Sequence, residues 1–381
     1  TCVVIGCIPA KAMLEAAALA NRVQHAKDFG VNVGNVSFDY GVAMKRSRSV
    51  SDQNVKGVEF LFKKNKITWT KGTARIAGAN AVVVKTAEGK EERHEAKKAI
   101  VIATGSRVKG LPQVGLELNK KTVISSDEAL LLEKAPKSMA VIGAGAVGCE
   151  LADVFNAFGT DVTLIEVMPN ILPLEDAEVS AALARVFTKR GMKVMAGAKI
   201  GNVKISKEAV TMSVESGGAK TDLKVDVVLV AAGRAPVVED VGLKEAGVQL
   251  TERGFIKIDE QFRTSAKNIF AIGDVAGPPM LAHKGSREGV ALAERRSVGA
   301  DRLLGDFEHV DALDVRGRAG EVLVDERSCQ PDGLELLRAG IGHVGGDAHL
   351  GHHLQHALAE RLDQVGDRLL RRDLQVTAAG E

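Results

Sequence analysis

The stretch SMAVIGAGAVGCELADVFNAFGTDVTLIE, residues 138–166, constrains the fold more than any other part of this chain. It reads as an apolar strand, a glycine turn, a helix patterned in Ala, Leu, Val and Phe, and a second apolar strand that ends in an acid. Gly143, Gly145 and Gly148 give the G-x-G-x-x-G spacing at the strand–helix junction, with Ala144, Ala146 and Val147 between them. Such glycines allow a tight turn, let a pyrophosphate approach backbone N–H groups, and let the helix pack closely on the strand while its N-terminus faces the negative charge. Glu166 closes the second strand at the spacing where an acidic side chain meets a ribose diol. It would repel a 2′-phosphate, and no arginine follows in EVMPN, so NAD is expected rather than NADP. Glycines that merely pack a helix on a sheet are the plainer alternative; strand, turn, helix, strand and acid in one order weigh against it.

Apolar runs followed by glycine recur in KKAIVIATGS (97–106), VDVVLVAAGRAP (225–236) and NIFAIGDVAG (268–277), and the first reads as a fully apolar buried strand. Residues 67–86 instead alternate and break at Gly72, Gly78 and Asn80, as an antiparallel meander does. Residues 110–137, with Pro112 and Pro136, read as a looser connector. The fold class expected is α/β, with parallel sheets and one β-rich insertion.

A chain of 381 residues has room for two or three cores and does not need disulfide staples. Four cysteines are too few for a secreted disulfide framework. A net charge of +2 gives no footprint for nucleic acid or a membrane surface. No apolar run approaches the roughly 20 residues that span a bilayer, and no signal peptide is visible. Small-molecule partners and a reducing, soluble compartment are therefore expected. Composition breaks sharply after Lys284: residues 297–381 contain no lysine and are rich in Arg, His, Asp, Gly and Leu.

Cys2 and Cys7 precede an Ala/Leu-rich helical pattern running from Lys11 to Ala26 behind Pro9. Ordinary buried thiols or half of a metal site are the bland readings; zinc would want a second pair or nearby histidines, and no metal site is expected. On a regular helix the two cysteines point roughly 140° apart, so a bond between them needs the backbone at residues 4–6 to leave helical geometry, which Gly6 makes easy. A small disulfide ring at a helix start is poised for reduction, and positive potential there would favour a thiolate.

TCVVIGCIPAKAML resembles the redox-disulfide helix of the flavin-dependent disulfide reductases, the class I pyridine nucleotide-disulfide oxidoreductases. GPPMLAHKGSREG (277–289) is similar to the dihydrolipoamide dehydrogenases among them. ATGS (103–106), the glycine turn, AAGRAP (231–236) and AIGDV (271–275) stand between in the family's order, and the resemblance runs from Thr1 to about Glu294. It implies two Rossmann-like FAD/NAD(P)-binding domains. It implies that Cys2 exchanges with dihydrolipoamide, that Cys7 lies against the flavin, and that Lys11 pairs with Glu150 beside the ring. Thr104, Gly105, Ser106 and Ala74 would contact FAD, Asp274 would hold the ribityl chain, and residues Met280, Leu281, Ala282 and His283 would bring a helix N-terminus to the flavin. Gly233 and Ile200 fall where the family touches NAD. Cys149 reads as packing. The implied reaction is dihydrolipoamide + NAD⁺ to lipoamide + NADH, with a lipoyl domain of a 2-oxo acid dehydrogenase or glycine cleavage complex and a second copy as partners, in bacterial cytoplasm or mitochondrial matrix.

The resemblance divides the chain into residues 1–112 (FAD-binding), 113–236 (NAD-binding), 237–296 (return to the FAD and central part) and 297–381 (tail). The strand and glycine turn with which the family cradles the FAD pyrophosphate are not found ahead of Cys2, and HPTxxE, which carries the family's histidine base, is not found in the tail. Residues 351–360, GHHLQHALAE, hold histidines and an acid at helical spacing, and residues 354–370 carry leucines for an amphipathic helix. The tail's composition suggests translation in another frame. A non-catalytic nucleotide-binding remnant is accordingly the second reading.

Overall fold

The computed structural model describes residues 1–298 and 376–378. The chain starts in two consecutive helices, α1 (Cys2–Ile5) and α2 (Cys7–Gln24), separated at Gly6, whose φ of −139° and ψ of −122° leave the helical region. The break falls where a Cys2–Cys7 ring needs it. The helix, however, reaches back to Cys2 instead of starting near Lys11. Joined, Cys2–Gln24 is long and apolar enough to cross a membrane by length and composition, against the expectation that no apolar run approaches that length. One face of it is packed: Met13, Ala17 and Ala20 are buried, and it lies against α3 (Tyr40–Lys64). Asp39 caps α3 by accepting from the Val42 N–H at 3.0 Å, which pairs one of the donors left free at the helix start.

The connector at 110–137 is more ordered than its prolines suggest. Asn119 Oδ1 accepts from the backbone N–H groups of Lys121, Thr122 and Val123, which leads into a strand at Val123–Ile124. Ser125 and Glu128 then form a reciprocal capping box on α4 (Ser126–Ala129). Five parallel strands follow in the spatial order 193–195, 161–165, 138–142, 227–230, 123–124. Residues 139–142 of the central strand and 227–230 beside it are apolar and buried because both faces are covered. Helices cover one face: α5 (Ala146–Ala157) packs there with α2, and α6 (Ala177–Lys189) edges the same core through Phe187. Met13, Tyr40, Met139, Leu164 and Phe155 all belong to this core, so the cysteine-bearing helices and the glycine-turn unit share apolar packing.

The other face is covered by an antiparallel sheet of Lys199–Ile205, Val210–Ser216 and Ala219–Val225, whose Val210, Met212 and Val214 meet Ala140, Ile142 and Val228. The sequence reading allowed one β-rich insertion; there are two. The alternation in 199–225 is masked by lysines and serines on the outward face.

A second core surrounds the parallel pair Ile100–Ile102 and Ile269–Ala271, with an antiparallel meander of Thr73–Ile76, Ala81–Lys85 and Glu91–Glu95 beside it; it runs past the 67–86 expected, and Trp69–Lys71 stays outside it, paired in parallel with Val376–Ala378. Among the described residues this second parallel sheet has two strands. Val101 is 38% exposed between buried Ile100 and Ile102, so the strand read as wholly buried has one open face. An antiparallel ribbon pairs Ser106–Val108 with Arg234–Pro236 and ties the two cores together. The last described helix, α7 (Ala282–Val298), follows the Gly273–Ala276 turn. The expected helix at 354–370 and the histidines of 351–360 lie outside the described residues.

Candidate functional site

The glycine turn is built as its spacing requires. Gly143 has φ +100°, and a Cβ there would lie 2.7 Å from the Ala231 carbonyl oxygen. A Cβ on Gly148 would lie 1.9 Å from the Gly143 carbonyl oxygen, which fixes the helix against the strand end. Gly145 differs from both: nothing stands within 4 Å of its Cβ position, and the space beside the turn is open. The first turn of α5 carries no acid and no side-chain cap, so its N–H groups remain available to an anion. These features fit a dinucleotide pyrophosphate.

Glu166 reaches the turn, but its carboxylate is already engaged. Oε2 accepts from the Ala144 N–H at 2.7 Å and Oε1 from the Met168 N–H at 2.9 Å, with the residue 6% exposed. Bracing the turn is thus its visible structural role, one that spacing alone did not reveal. Val147 is exposed at the helix start. Ile200 is half-buried and packs into the apolar layer between the two sheets, a core position. Gly233, with φ +101°, has the Lys109 side chain 3.6 Å from its Cβ position.

Cys2 and Cys7 are free thiols that face each other across the Gly6 break. Burial and the neighbouring Cys7 push the Cys2 thiol up to about 11. This corrects the expectation of a thiolate favoured by helix potential: desolvation outweighs it at Cys2. Cys7 is exposed, leaving its sulfur accessible to a ring stacked on it. One helical turn on, Lys11 Nζ lies 2.6 Å from Glu150 Oε1, joining the cysteine helix to the helix of the glycine turn. The pair is partly solvated, with side chains 61% and 29% exposed, and not deeply buried.

A second group forms around the 3₁₀ turn at Gly273–Ala276. Ser106 Oγ donates to Asp274 Oδ2 at 2.5 Å and accepts from Arg234 Nε at 2.7 Å; Arg234 Nη2 also donates to the Ser106 carbonyl at 2.6 Å. Thr104 Oγ1 donates to the Val237 carbonyl at 2.7 Å and the Val237 N–H to the Gly105 carbonyl at 3.0 Å, pinning the loop after the open-faced strand. Gly105 has φ +71° and nothing within 4 Å of its Cβ position. Ala74, Val101 and Thr104 line one cleft. An open glycine, an exposed apolar strand face and an anchored aspartate fit a flavin dinucleotide. Leu281, Ala282 and His283 are exposed at the start of α7, with Met280 half-buried ahead of them. Lys11 pairs with Glu150 and Asp274 with Ser106; among the described residues these stand as two separate groups.

Two features escaped the sequence reading. Arg234 lies inside AAGRAP, yet its bond to Ser106 spans 128 positions and has no local signal. Lys284 and Glu288 form an ion pair at 3.0 Å with side chains only 7% and 13% exposed, and both bind Gly273: the Glu288 carboxylate accepts its N–H at 2.6 Å and Lys284 Nζ donates to its carbonyl at 3.1 Å. Their i, i+4 spacing was a signal available in the sequence. Cys149 is buried against the Ala144 carbonyl, and burial pushes its thiol up to about 12, in keeping with packing. Among the described residues no group of His, Cys, Asp and Glu could hold a metal ion.

Residues 1–289 match the family described as pyridine nucleotide-disulphide oxidoreductase. The chain belongs to this family. The dihydrolipoyl dehydrogenase of Chlorobaculum parvum is 45% identical over 294 residues, covering 77% of this chain and 62% of the relative. That of Mycobacterium tuberculosis is 41% identical over 388 residues, covering 96% and 82%, so this alignment extends into the tail. The mitochondrial enzyme of Pisum sativum is 38% identical over 320 residues, covering 83% and 62%. The chain thus spans about 62% of the length of two of these relatives. Among solved structures, the flavoprotein disulfide reductase RclA of Escherichia coli aligns with a TM-score of 0.64 at 25% identity, covering 78% of this chain and 62% of that one. LpdA of Mycobacterium tuberculosis aligns at 0.69 with 21% identity over 78% and 64%, a likeness of fold. Members of this family use FAD and NAD(P). The relatives include bacterial and mitochondrial proteins.

Proposed function

We propose that this chain performs the thiol–disulfide and dinucleotide chemistry of a dihydrolipoyl dehydrogenase, dihydrolipoamide + NAD⁺ to lipoamide + NADH + H⁺. The observation that carries this is the Cys2–Cys7 pair at a helix broken at Gly6, with Lys11 one turn later ion-paired to Glu150 beside the glycine turn. Structural helices have no need of that arrangement, whereas a reversible dithiol does.

With the pair oxidised, one thiolate of dihydrolipoamide attacks the Cys2 sulfur; a lipoyl–Cys2 disulfide forms and Cys7 leaves as thiolate. The second lipoyl thiolate attacks its own linked sulfur, releasing lipoamide and leaving both cysteines reduced with the electron pair. FAD, when bound, carries that pair onward to NAD⁺. The exposed Cys7 sulfur would meet the flavin ring, and the Lys11 ammonium one turn away is paired with the Glu150 carboxylate. Asp274, fixed by Ser106 and Arg234, would hold the ribityl chain, and the loop at Thr104–Gly105 would approach the dinucleotide backbone. The N–H groups at Gly145–Val147 would bind the NAD pyrophosphate, and the remaining lone pairs of Glu166 a ribose hydroxyl, which favours NAD. A lipoyl domain as the carrier, a second copy as partner, and bacterial cytoplasm or mitochondrial matrix as the location belong to the same reading.

The test is to purify the full chain with FAD, add dihydrolipoamide and NAD⁺, and follow NADH absorbance. NADH formation that Cys2→Ser abolishes supports the reading. A chain that binds FAD and NADH yet gives no dihydrolipoamide-dependent change in the flavin spectrum overturns it.

A further inference from the structure

The inward face of α3 carries Tyr40, Ala43, Met44, Ser47 and Ser51, a buried stripe at helical spacing that turns polar where it meets α1 and the start of α2. Ser47 and Ser51 are 0% and 2% exposed, although alanine would fill that volume without a hydroxyl to satisfy. Their partners are backbone carbonyls of the cysteine segment. Ser51 Oγ donates to the Val3 carbonyl at 2.5 Å, the adjacent Arg48 Nη1 to the Val4 carbonyl at 2.7 Å, and Ser47 Oγ to the Pro9 carbonyl at 3.1 Å.

In an unbroken helix the carbonyls of Val3 and Val4 would accept from the N–H groups of residues 7 and 8. The break at Gly6 ends that ladder, and Pro9 has no N–H to offer Ile5. The carbonyls freed between the two cysteines would be costly to bury unpaired. α3 supplies donors to two of them, Val3 and Val4, Ser51 Oγ also standing 3.5 Å from the Val4 oxygen. Arg48 is held there although its Nε and Nη2 are buried without partners, a cost accepted for the one bond it makes.

We propose that Ser51 and Arg48 are positioning residues for the Cys2–Cys7 pair: by capturing the Val3 and Val4 carbonyls they keep the helix open at Gly6 and hold the two sulfurs within bonding reach. This rests on the redox reading of the pair. The strap raises the effective concentration of one thiol at the other, so its loss shifts the dithiol–disulfide equilibrium toward dithiol.

The full chain is equilibrated in glutathione buffers, alkylated, and scored by mass spectrometry for Cys2–SH + Cys7–SH + GSSG to Cys2–S–S–Cys7 + 2 GSH. Ser51→Ala and Arg48→Met should each lower that equilibrium constant about fivefold, the worth of one hydrogen bond, and Arg48→Lys, which keeps a donor for Val4, should recover most of it. A stability change alone would not show this order of rescue. Should Ser51→Ala not fold by thermal melting, the partly exposed Arg48 variants decide. Folded variants with the wild-type constant overturn the strap; a wild-type chain that forms no Cys2–Cys7 disulfide in any buffer overturns the redox reading itself.

Discussion

Lys11 Nζ and Glu150 Oε1 lie 2.6 Å apart although 139 positions separate them, and they join the cysteine helix to the helix of the glycine turn. With one side chain mostly solvated, the pair contributes little to stability: Lys11→Met should cost under about 1 kcal/mol. Its effect belongs to the flavin. Removing the positive charge one turn from Cys7 disfavours negative charge on a reduced ring, so Lys11→Met should lower the flavin midpoint potential while the melting temperature stays nearly fixed. Redox titration of the FAD-loaded protein beside a thermal melt checks both, and an unchanged potential would remove Lys11 from the site.

The three glycines of the turn predict two different phenotypes. An alanine Cβ at Gly148 meets the Gly143 carbonyl at 1.9 Å, backbone that cannot step aside, so Gly148→Ala should destabilise the chain by about 1–3 kcal/mol or more. Gly145 has an ordinary φ of −73° and open space, so Gly145→Ala should melt like wild type but bind NADH at least about tenfold more weakly, its methyl standing where a pyrophosphate approaches. Melting and NADH fluorescence titration of both variants separate the roles. Equal melting temperatures for the two would contradict the packing assigned to Gly148.

Legibility in the sequence followed locality. Gly143, Gly145, Gly148 and Glu166 fall within one strand–turn–helix–strand unit, where period and spacing speak directly. The pairing of Lys11 with Glu150 came only through the family resemblance, since nothing in either segment names the other. Ser47, Arg48 and Ser51 were invisible because their partners are carbonyls freed by a break elsewhere, and carbonyls have no residue type. The antiparallel sheet at 199–225 was missed for another reason: one face packs on the parallel sheet and the other carries Lys, Ser and Asp, so its apolar alternation is diluted.

Thiol chemistry should sort the three described cysteines by exposure. Cys7 is exposed and should take iodoacetamide first, Cys2 should gain reactivity with each pH step up to about 11, and buried Cys149 should wait for unfolding. The sign for stability follows. An unfolded Cys2 ionises around 9.0 and the folded one about 11, so above 9 the unfolded chain loses its proton first and folding is progressively disfavoured until about 11. Below 9 the term is absent. Cys2→Ala should therefore flatten part of the alkaline loss in denaturant melts, and a variant whose alkaline profile matches wild type would refute the burial argument.

Lys284 and Glu288 clamp the Gly273 peptide from both ends, and Asp274 is the next residue. Gly273 has φ +73°, and a Cβ on Gly285 would lie 3.3 Å from the Gly273 Cα, so the turn and α7 touch backbone to backbone. Lys284→Met leaves the Glu288 carboxylate buried without its cation, which should cost about 3–5 kcal/mol. Adding Glu288→Leu removes the stranded charge, so the double variant should be less destabilised than the sum of the two singles, with a coupling above about 1 kcal/mol. The peptide groups of Gly273 remain unpaired in the double variant, so Asp274 loses its fixed position and FAD affinity should stay reduced even where stability partly returns. Denaturant melts of the four-protein cycle, with FAD fluorescence titration of each, test the two consequences separately. Additive costs would make the pair a pair in distance only, and full recovery of FAD affinity in the double variant would detach the clamp from the aspartate it precedes.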